Sequence, residues 1–212
     1  MTASLQSLTE PQLAALAKVA CGIETGAAVA LLCGPAGVGK TTVLEQLASD
    51  PRLAPDDLPI RDVAAWLSTP GDLPAVLLAD DAHLASEHDL AQLLARAKSR
   101  RPAAAVILAG QGRLLTLVAR DRRIEQAVRI LAPLLPGSAA DTAALVTATA
   151  SAEGPRFADA AILAIHEIAA GVPGDVVRLT ELAGLVAPAL VDGLVTADDV
   201  EAVHRRLTPQ AA

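Results

Sequence analysis

Aromatic side chains are nearly missing from this sequence: tyrosine is absent, and Trp66 and Phe157 are its one tryptophan and one phenylalanine. A hydrophobic fraction of 52% must therefore come from Ala, Leu and Val. That composition gives an aliphatic core in a chain rich in the strongest helix former. Cysteine is scarce too. Cys21 and Cys33 are expected to be buried small hydrophobes rather than a disulfide. No run of about 18 apolar residues exists, so no membrane-spanning segment is expected, although mean hydropathy is +0.43. The longest uncharged stretch is Thr25 to Gly39. Residues 1–7 show neither a basic nor a compact apolar region, so no signal peptide is expected and a cytoplasmic location follows. Positive charge is in short supply, with 17 Lys and Arg against 24 Asp and Glu, a net charge of −7 and a pI near 5.0. Lysine stands only at 18, 40 and 98. Such a chain is not built for general nucleic-acid binding. DNA stays possible as a partner at the local clusters Arg100–Arg101 and Arg120, Arg122 and Arg123.

What is present is organised around Gly34-Pro-Ala-Gly-Val-Gly-Lys40-Thr41-Thr42, which fits G-x-x-x-x-G-K-[ST] at every fixed position. A short apolar run, Ala27–Cys33, precedes it, and Val43, Leu44 and Leu47 follow at the spacing of one helix face. Strand, glycine loop and helix start are what a phosphate site needs. Glycines 34, 37 and 39 let backbone N–H groups turn towards a phosphate, and the helix N-terminus adds its positive end. The candidate nucleotide contacts are Gly34, Pro35, Ala36, Gly37, Val38, Gly39, Lys40, Thr41 and Thr42. Lys40 is expected at the β- and γ-phosphates of ATP, and the Thr41 hydroxyl on Mg²⁺. The second signal is Ala75-Val-Leu-Leu-Ala-Asp80-Asp81-Ala-His83, an apolar strand ending in an acid pair. Alone, it suits a plain turn or a helix cap. Downstream of a phosphate loop it reads as a Walker B segment, with Asp80 holding Mg²⁺ and Asp81 orienting and deprotonating the attacking water.

Around these motifs the pattern alternates strands and helices. Residues 10–24 predict a helix with Leu13, Leu16, Val19 and Ala20 as its apolar stripe. Asp50-Pro51 and Ala54–Asp57 mark a surface loop. Leu58–Val63 gives a weak strand signal leading into Val63–Leu67. Ser86–Ser99 predicts an amphipathic helix with Ser86 as N-cap and Leu90, Leu93, Leu94 and Ala97 inward. Ala103–Ala109 is a buried strand. Gln111, just beyond it, either points at the γ-phosphate or is an ordinary strand-end polar residue. Residues 120–123 read as a charged surface turn, Ile124–Ile130 as helix or strand, and Leu131–Gly137 as a break. After Pro136 no strand signal occurs. Four helical patterns follow, at 139–152, 157–170, 175–192 and 197–207. The expected architecture is α/β, a parallel sheet flanked by helices at 1–134 and a small all-helical lid at 135–212. His83, Glu87 and His88 lack metal-ligand spacing, and His166-Glu167 lacks the second His of H-E-x-x-H.

Taken together, Gly34–Thr42, Val76–Leu84, Val106–Leu114, Val128–Leu134 and the helical end resemble the AAA+ P-loop ATPases. More narrowly, the chain is similar to the ATPase module of ExeA/GspA-type secretion proteins and of TniB/TnsC-type transposition ATPases. This resemblance covers nearly the whole chain. It implies ATP and Mg²⁺ as ligands, Gln111 at or beside the sensor-1 position, and Arg129 as an arginine finger acting on a neighbouring subunit's nucleotide. It also shows departures. Asp81 stands where many such enzymes carry Glu. The lid's usual Gly-x-Pro-Arg is Gly171-Val-Pro-Gly174, which leaves Arg178, one turn onward, as the substitute lid arginine. The membrane helix and cell-wall-binding part of the secretion proteins are not seen, so the resemblance transfers the ATPase engine and not a secretion role. The implied activity is slow, assembly-dependent ATP hydrolysis in a homo-oligomer or hetero-assembly that acts as a switch or motor on a protein partner. The alternatives are a non-hydrolysing nucleotide-dependent scaffold and a DNA-bound transposition or replication regulator.

Overall fold

A computed structural model describes residues 8–26, 28–53, 58–150, 154–187 and 193–207. The chain divides into two compact units, one spanning Pro11–Leu135 and the other Pro136–Ala212 with the N-terminal residues up to Glu10. The first unit holds a five-stranded parallel sheet of β1 (Val29–Cys33), β2 (Ile60–Arg61), β3 (Val76–Ala79), β4 (Ala105–Gly110) and β5 (Val128–Pro133). Their spatial order is β2-β3-β4-β1-β5.

The central strands are apolar at every position because helices cover both faces of the sheet. Side chains alternate between two clusters, as strand geometry requires. On one face Val29, Leu31, Leu77 and Leu108 pack against α3 (Val63–Ser68), α4 (Glu87–Ser99), α5 (Gly112–Arg120) and α6 (Arg122–Ala127). On the other, Ala30, Leu32, Leu78 and Ile107 meet α1 (Glu10–Glu24) and α2 (Lys40–Ala48). Trp66 is fully buried on the first face, and its indole N–H donates to Leu78 O at 2.9 Å. Ser86 caps α4 in a complete capping box with Asp89.

Three local expectations are corrected. In α1 the buried face is Gln12, Ala15, Val19, Ala20 and Gly22, whereas Leu13 is 52% exposed. Cys21 on the same helix is exposed, and only Cys33 is buried. The segment read as a break from Leu131 is instead the body of β5. Pro133 ends that strand at the sheet edge, where a missing N–H costs no central ladder bond. The loop expected at Ala54–Asp57 lies outside the described residues.

The second unit contains α7 (Ala139–Ala150), α8 (Asp159–Ala169), α9 (Pro173–Gly184) and α10 (Ala197–Leu207) around Val146, Ile165, Val176 and Val200. Its helices are joined by β6 (Arg156–Phe157) and β7 (Leu194–Val195), a two-residue parallel pair too short to leave a pattern in sequence. Helix α9 closes at Gly184, short of the 175–192 pattern, and residues 188–192 lie outside the described residues. His166 hydrogen-bonds through Nδ1 to Thr142 at 2.8 Å, a structural use of the ring.

Candidate nucleotide site at the C-terminal ends of the strands

The chain leaves β1 into a loop built from backbone rather than side chains. Gly37 and Gly39 have φ of 76° and 88°, in the left-handed region that glycine takes without strain. Gly39 caps α2 without a side-chain hydrogen bond, so the helix start is open to an anion. A side chain at Gly34 would place Cβ 2.5 Å from Leu134 O, which explains why this position has none. Gly34 N–H donates to Gly110 O at 3.2 Å, tying the loop to β4. Val38 is fully buried and anchors the loop in the core, while Pro35, Ala36 and Gly37 face solvent.

Lys40 is 8% exposed, and its ammonium donates to Pro35 O at 2.7 Å and Gly34 O at 3.1 Å. Burial pushes its pKa down, and the nearby Asp80, Asp81 and Cys33 pull it back up. Burial lifts the Cys33 thiol to about 11, against the opposing pull of Lys40. The cation is thus held by carbonyl dipoles that a phosphate oxygen can replace.

Across from the loop, the Thr41 hydroxyl donates to Asp80 Oδ2 at 2.6 Å. Asp80 is fixed from both sides. Its own N–H donates to Arg61 O at 2.9 Å, and its Oδ1 accepts from Asp81 N–H at 2.8 Å. The weakly signalled β2 therefore holds the acid in place. One hydroxyl and one carboxylate suit Mg²⁺, which keeps several waters and completes its shell with substrate phosphates. Among the described residues no cluster of three or more His, Cys, Asp or Glu forms a separate metal cage.

Asp81 sits at φ 48°, a sharp left-handed turn into a short 3₁₀ segment, Ala82–Leu84. Its carboxylate is 60% exposed and lies 3.8 Å from the His83 Nδ1. Gln111 follows Gly110, which pairs with Cys33, so it stands beside the phosphate loop at the same end of the sheet. The structure thus brings Lys40, Thr41, Asp80, Asp81 and Gln111 to the C-terminal ends of β1, β3 and β4. Arg129 is elsewhere. It is the second residue of β5, at the other end of the strands, and falls at a bulge where Val29 pairs with Val128 and Ala30 with Ile130. Arg178 is exposed on α9, in the other compact unit.

Sequence reasoning does not find Gln12 as a site residue. Its buried amide donates to Val38 O at 3.0 Å, bracing the loop from α1 against Gly39. The available signal is a polar residue on the same helical face as Ala15, Val19 and Gly22. Arg113 escapes it too; from α5 this residue donates to the His83 carbonyl. Three of the five clustered arginines have partners within the chain. Arg100 donates to Leu73 O and Pro102 O, Arg101 to Lys98 O and Arg100 O, and Arg123 pairs with Asp121 at 2.7 Å.

A phosphate loop after β1, an acid pair after β3 and the order β2-β3-β4-β1-β5 define a P-loop NTPase fold of the AAA+ type. No family model and no curated protein matches the sequence. Solved structures do match. A variant of RuvB from Thermotoga maritima superposes with a TM-score of 0.72 at 20% identity, over 96% of this chain and 72% of that one. The Thermotoga maritima RuvB Holliday junction branch migration motor gives 0.70 at 20% identity, over 92% and 67%. Hsp104, in a closed state with ATPγS and FITC-casein, gives 0.66 at 20% identity, over 97% of this chain but 43% of the other. At this identity the likeness establishes the fold.

Proposed function

We propose that the protein binds ATP with Mg²⁺ and hydrolyses it slowly within an assembly, acting as a nucleotide-controlled switch or motor on a protein partner. The observation that carries this reading is the buried Lys40 beside a glycine loop and a helix start without a side-chain cap, with the Thr41 hydroxyl and the Asp80 carboxylate already joined at 2.6 Å. The Thr41 hydroxyl and the Asp80 carboxylate would hold Mg²⁺, which would supply positive charge against the β- and γ-phosphates. Lys40 binds the same phosphates. Asp81 takes the proton of the attacking water, and Gln111 supports it from the end of β4. Arg129 acts in trans, and Arg178 serves from the helical unit after Leu134, which functions as the lid. Within this fold, the stretches Gly34–Thr42, Val76–Leu84, Val106–Leu114 and Val128–Leu134 favour a module of the ExeA/GspA or TniB/TnsC type. DNA is the weaker partner, because the chain carries a net charge of −7 and three of its clustered arginines are engaged internally.

A second reading draws on Asp81, whose short and exposed side chain suits a nucleotide-dependent scaffold that does not turn over. Lys40→Ala tests the site. Removing one partner of a buried charge pair costs about 2–5 kcal/mol, so ATP affinity should fall at least about thirty-fold while circular dichroism stays unchanged. Equal ATP affinity in a folded variant would overturn the assignment. Turnover that rises with protein concentration supports the motor. None at any concentration supports the scaffold.

A further inference from the structure

His83 is left unexplained by phosphate binding. The residue is buried, its Nδ1 has no hydrogen-bond partner, and Oδ1 of Asp81 stands 3.8 Å away. Buried ring nitrogens are rarely left bare, because the lost hydration is not recovered. Asp81 has the complementary deficit. Its carboxylate is 60% exposed and accepts none of the hydrogen bonds found among the described residues. One nitrogen without an acceptor thus faces one carboxylate without a donor.

The backbone around the pair is fixed. Leu84 N–H donates to Asp81 O at 2.8 Å, closing the turn, and Arg113 fastens the His83 carbonyl to α5. Strand β4 packs flush against this turn, since a Cβ at Gly110 would lie 3.1 Å from His83 N and 3.2 Å from His83 Cβ. The His83 backbone has no room to shift towards β4. The Asp81 carboxylate, open to solvent, has room to rotate, and a shift of about 1 Å brings its oxygen to the length of a charge-assisted hydrogen bond.

We propose that His83 is a positioning residue for Asp81: its Nδ1–H donates to Oδ1 and holds the carboxylate in one rotamer, leaving Oδ2 for the attacking water. The proposal rests on the reading of Asp81 as the base. It accounts for how an aspartate one methylene shorter than glutamate is kept in place, since an exposed side chain without a partner would sample several rotamers. Position at this level governs rate, because a misplacement of about 1 Å can cost about a hundredfold.

The pairing is read first without nucleotide. Imidazole ¹⁵N spectra of the whole chain report which ring nitrogen carries the proton, with the His83 signal identified by its loss in His83→Phe. The wild-type ring should carry it on Nδ1. In Asp81→Gly, which removes the acceptor at a φ that glycine accepts, it should move to Nε2. A wild-type proton on Nε2, or one that stays on Nδ1 in Asp81→Gly, overturns the pairing. The consequence is read in turnover. His83→Phe fills the space without a donor and should lose about tenfold to a hundredfold in rate at unchanged ATP affinity. His83→Asn, whose amide stands near Nδ1, should recover most of it. Wild-type turnover in His83→Phe, or equal losses in both variants, overturns the proposal. The base assignment fails separately: Asp81→Asn hydrolysing at the wild-type rate removes Asp81 from the chemistry, while the spectra still decide the pairing.

Discussion

Gln12 shows how a residue remote from the motif shapes it. Its buried amide, 26 positions before Val38, fills the space beside Gly39 and donates to the loop carbonyl. Replacing it with Ala removes one buried hydrogen bond, worth about 1 kcal/mol. If the loop then relaxes from its phosphate-ready shape, ATP affinity should fall about fivefold with no phosphate contact deleted, as measured by calorimetry; undiminished affinity in Gln12→Ala would separate Gln12 from loop shape. Lys40, Thr41 and Asp80, which the structure brings to one end of the sheet, are legible in sequence because Lys40 and Thr41 fall in a motif of fixed spacing and Asp80 ends an apolar run. Gln12 is not, because its partner is a backbone carbonyl and any loop sequence supplies one. His83 enters the sequence reading only as a metal ligand without the right spacing. The left-handed turn at Asp81 that sets its carboxylate near the ring leaves no trace in residue type, since φ 48° is a property of the folded turn.

At the scale of elements, the strands buried on both sides are readable and the edges are not. β1, β3 and β4 are continuous apolar runs, while β2 is two residues long and β5 buries only Ala132. Residues 124–130, open between helix and strand, turn out to be both: α6 runs to Ala127 and β5 starts at Val128. What divides them from α5 is Asp121, read in sequence as part of a surface turn. It accepts from Arg123 N–H as the N-cap of α6 and pairs with the Arg123 guanidinium. The side-chain hydrogen bonds from Arg123 lead in pulling its carboxyl down to about 2. A folded value below the unfolded one, near 3.9, means the carboxylate stabilises the fold above that pH and loses its contribution as pH falls towards 2. Asp121→Asn keeps a capping oxygen but not the charge. Its Tm should sit below wild type by a constant margin from neutrality to about pH 4, and the gap should close between about pH 4 and pH 2. A gap that persists unchanged to pH 2 would show that the charge is not what stabilises α6.

At the scale of the whole molecule, the role proposed for Arg129 bears on whether one chain can complete a catalytic site. Pro133, four positions further along the strand, pairs with Cys33 next to the phosphate loop, so about 13 Å of strand lies between them. It borders instead a groove of about 740 Å³ at the opposite end of the sheet, together with Lys98, Arg123 and the starts of β1 and β4. From there it does not reach its own chain's phosphates. A purely structural Arg129 would be expected to hold a carboxylate, yet it makes none of the ion pairs found among the described residues. The bulge at Val29 turns it out of the ladder, the usual way a strand re-aims a side chain at its edge. These features suit a finger presented to a neighbouring subunit, where such a residue is worth about 10³–10⁵ in rate. Arg129→Ala should therefore lose turnover while keeping ATP affinity, because nothing in its own site is removed. Lys40→Ala subunits fail for the opposite reason, lacking the site but keeping the finger. Mixed, the two inactive variants should regain turnover at the interfaces where an intact Lys40 site meets an intact Arg129. The recovered rate should pass through a maximum as the mixing ratio is varied. If both variants are folded and co-assembled and no ratio restores activity, Arg129 is not supplied in trans.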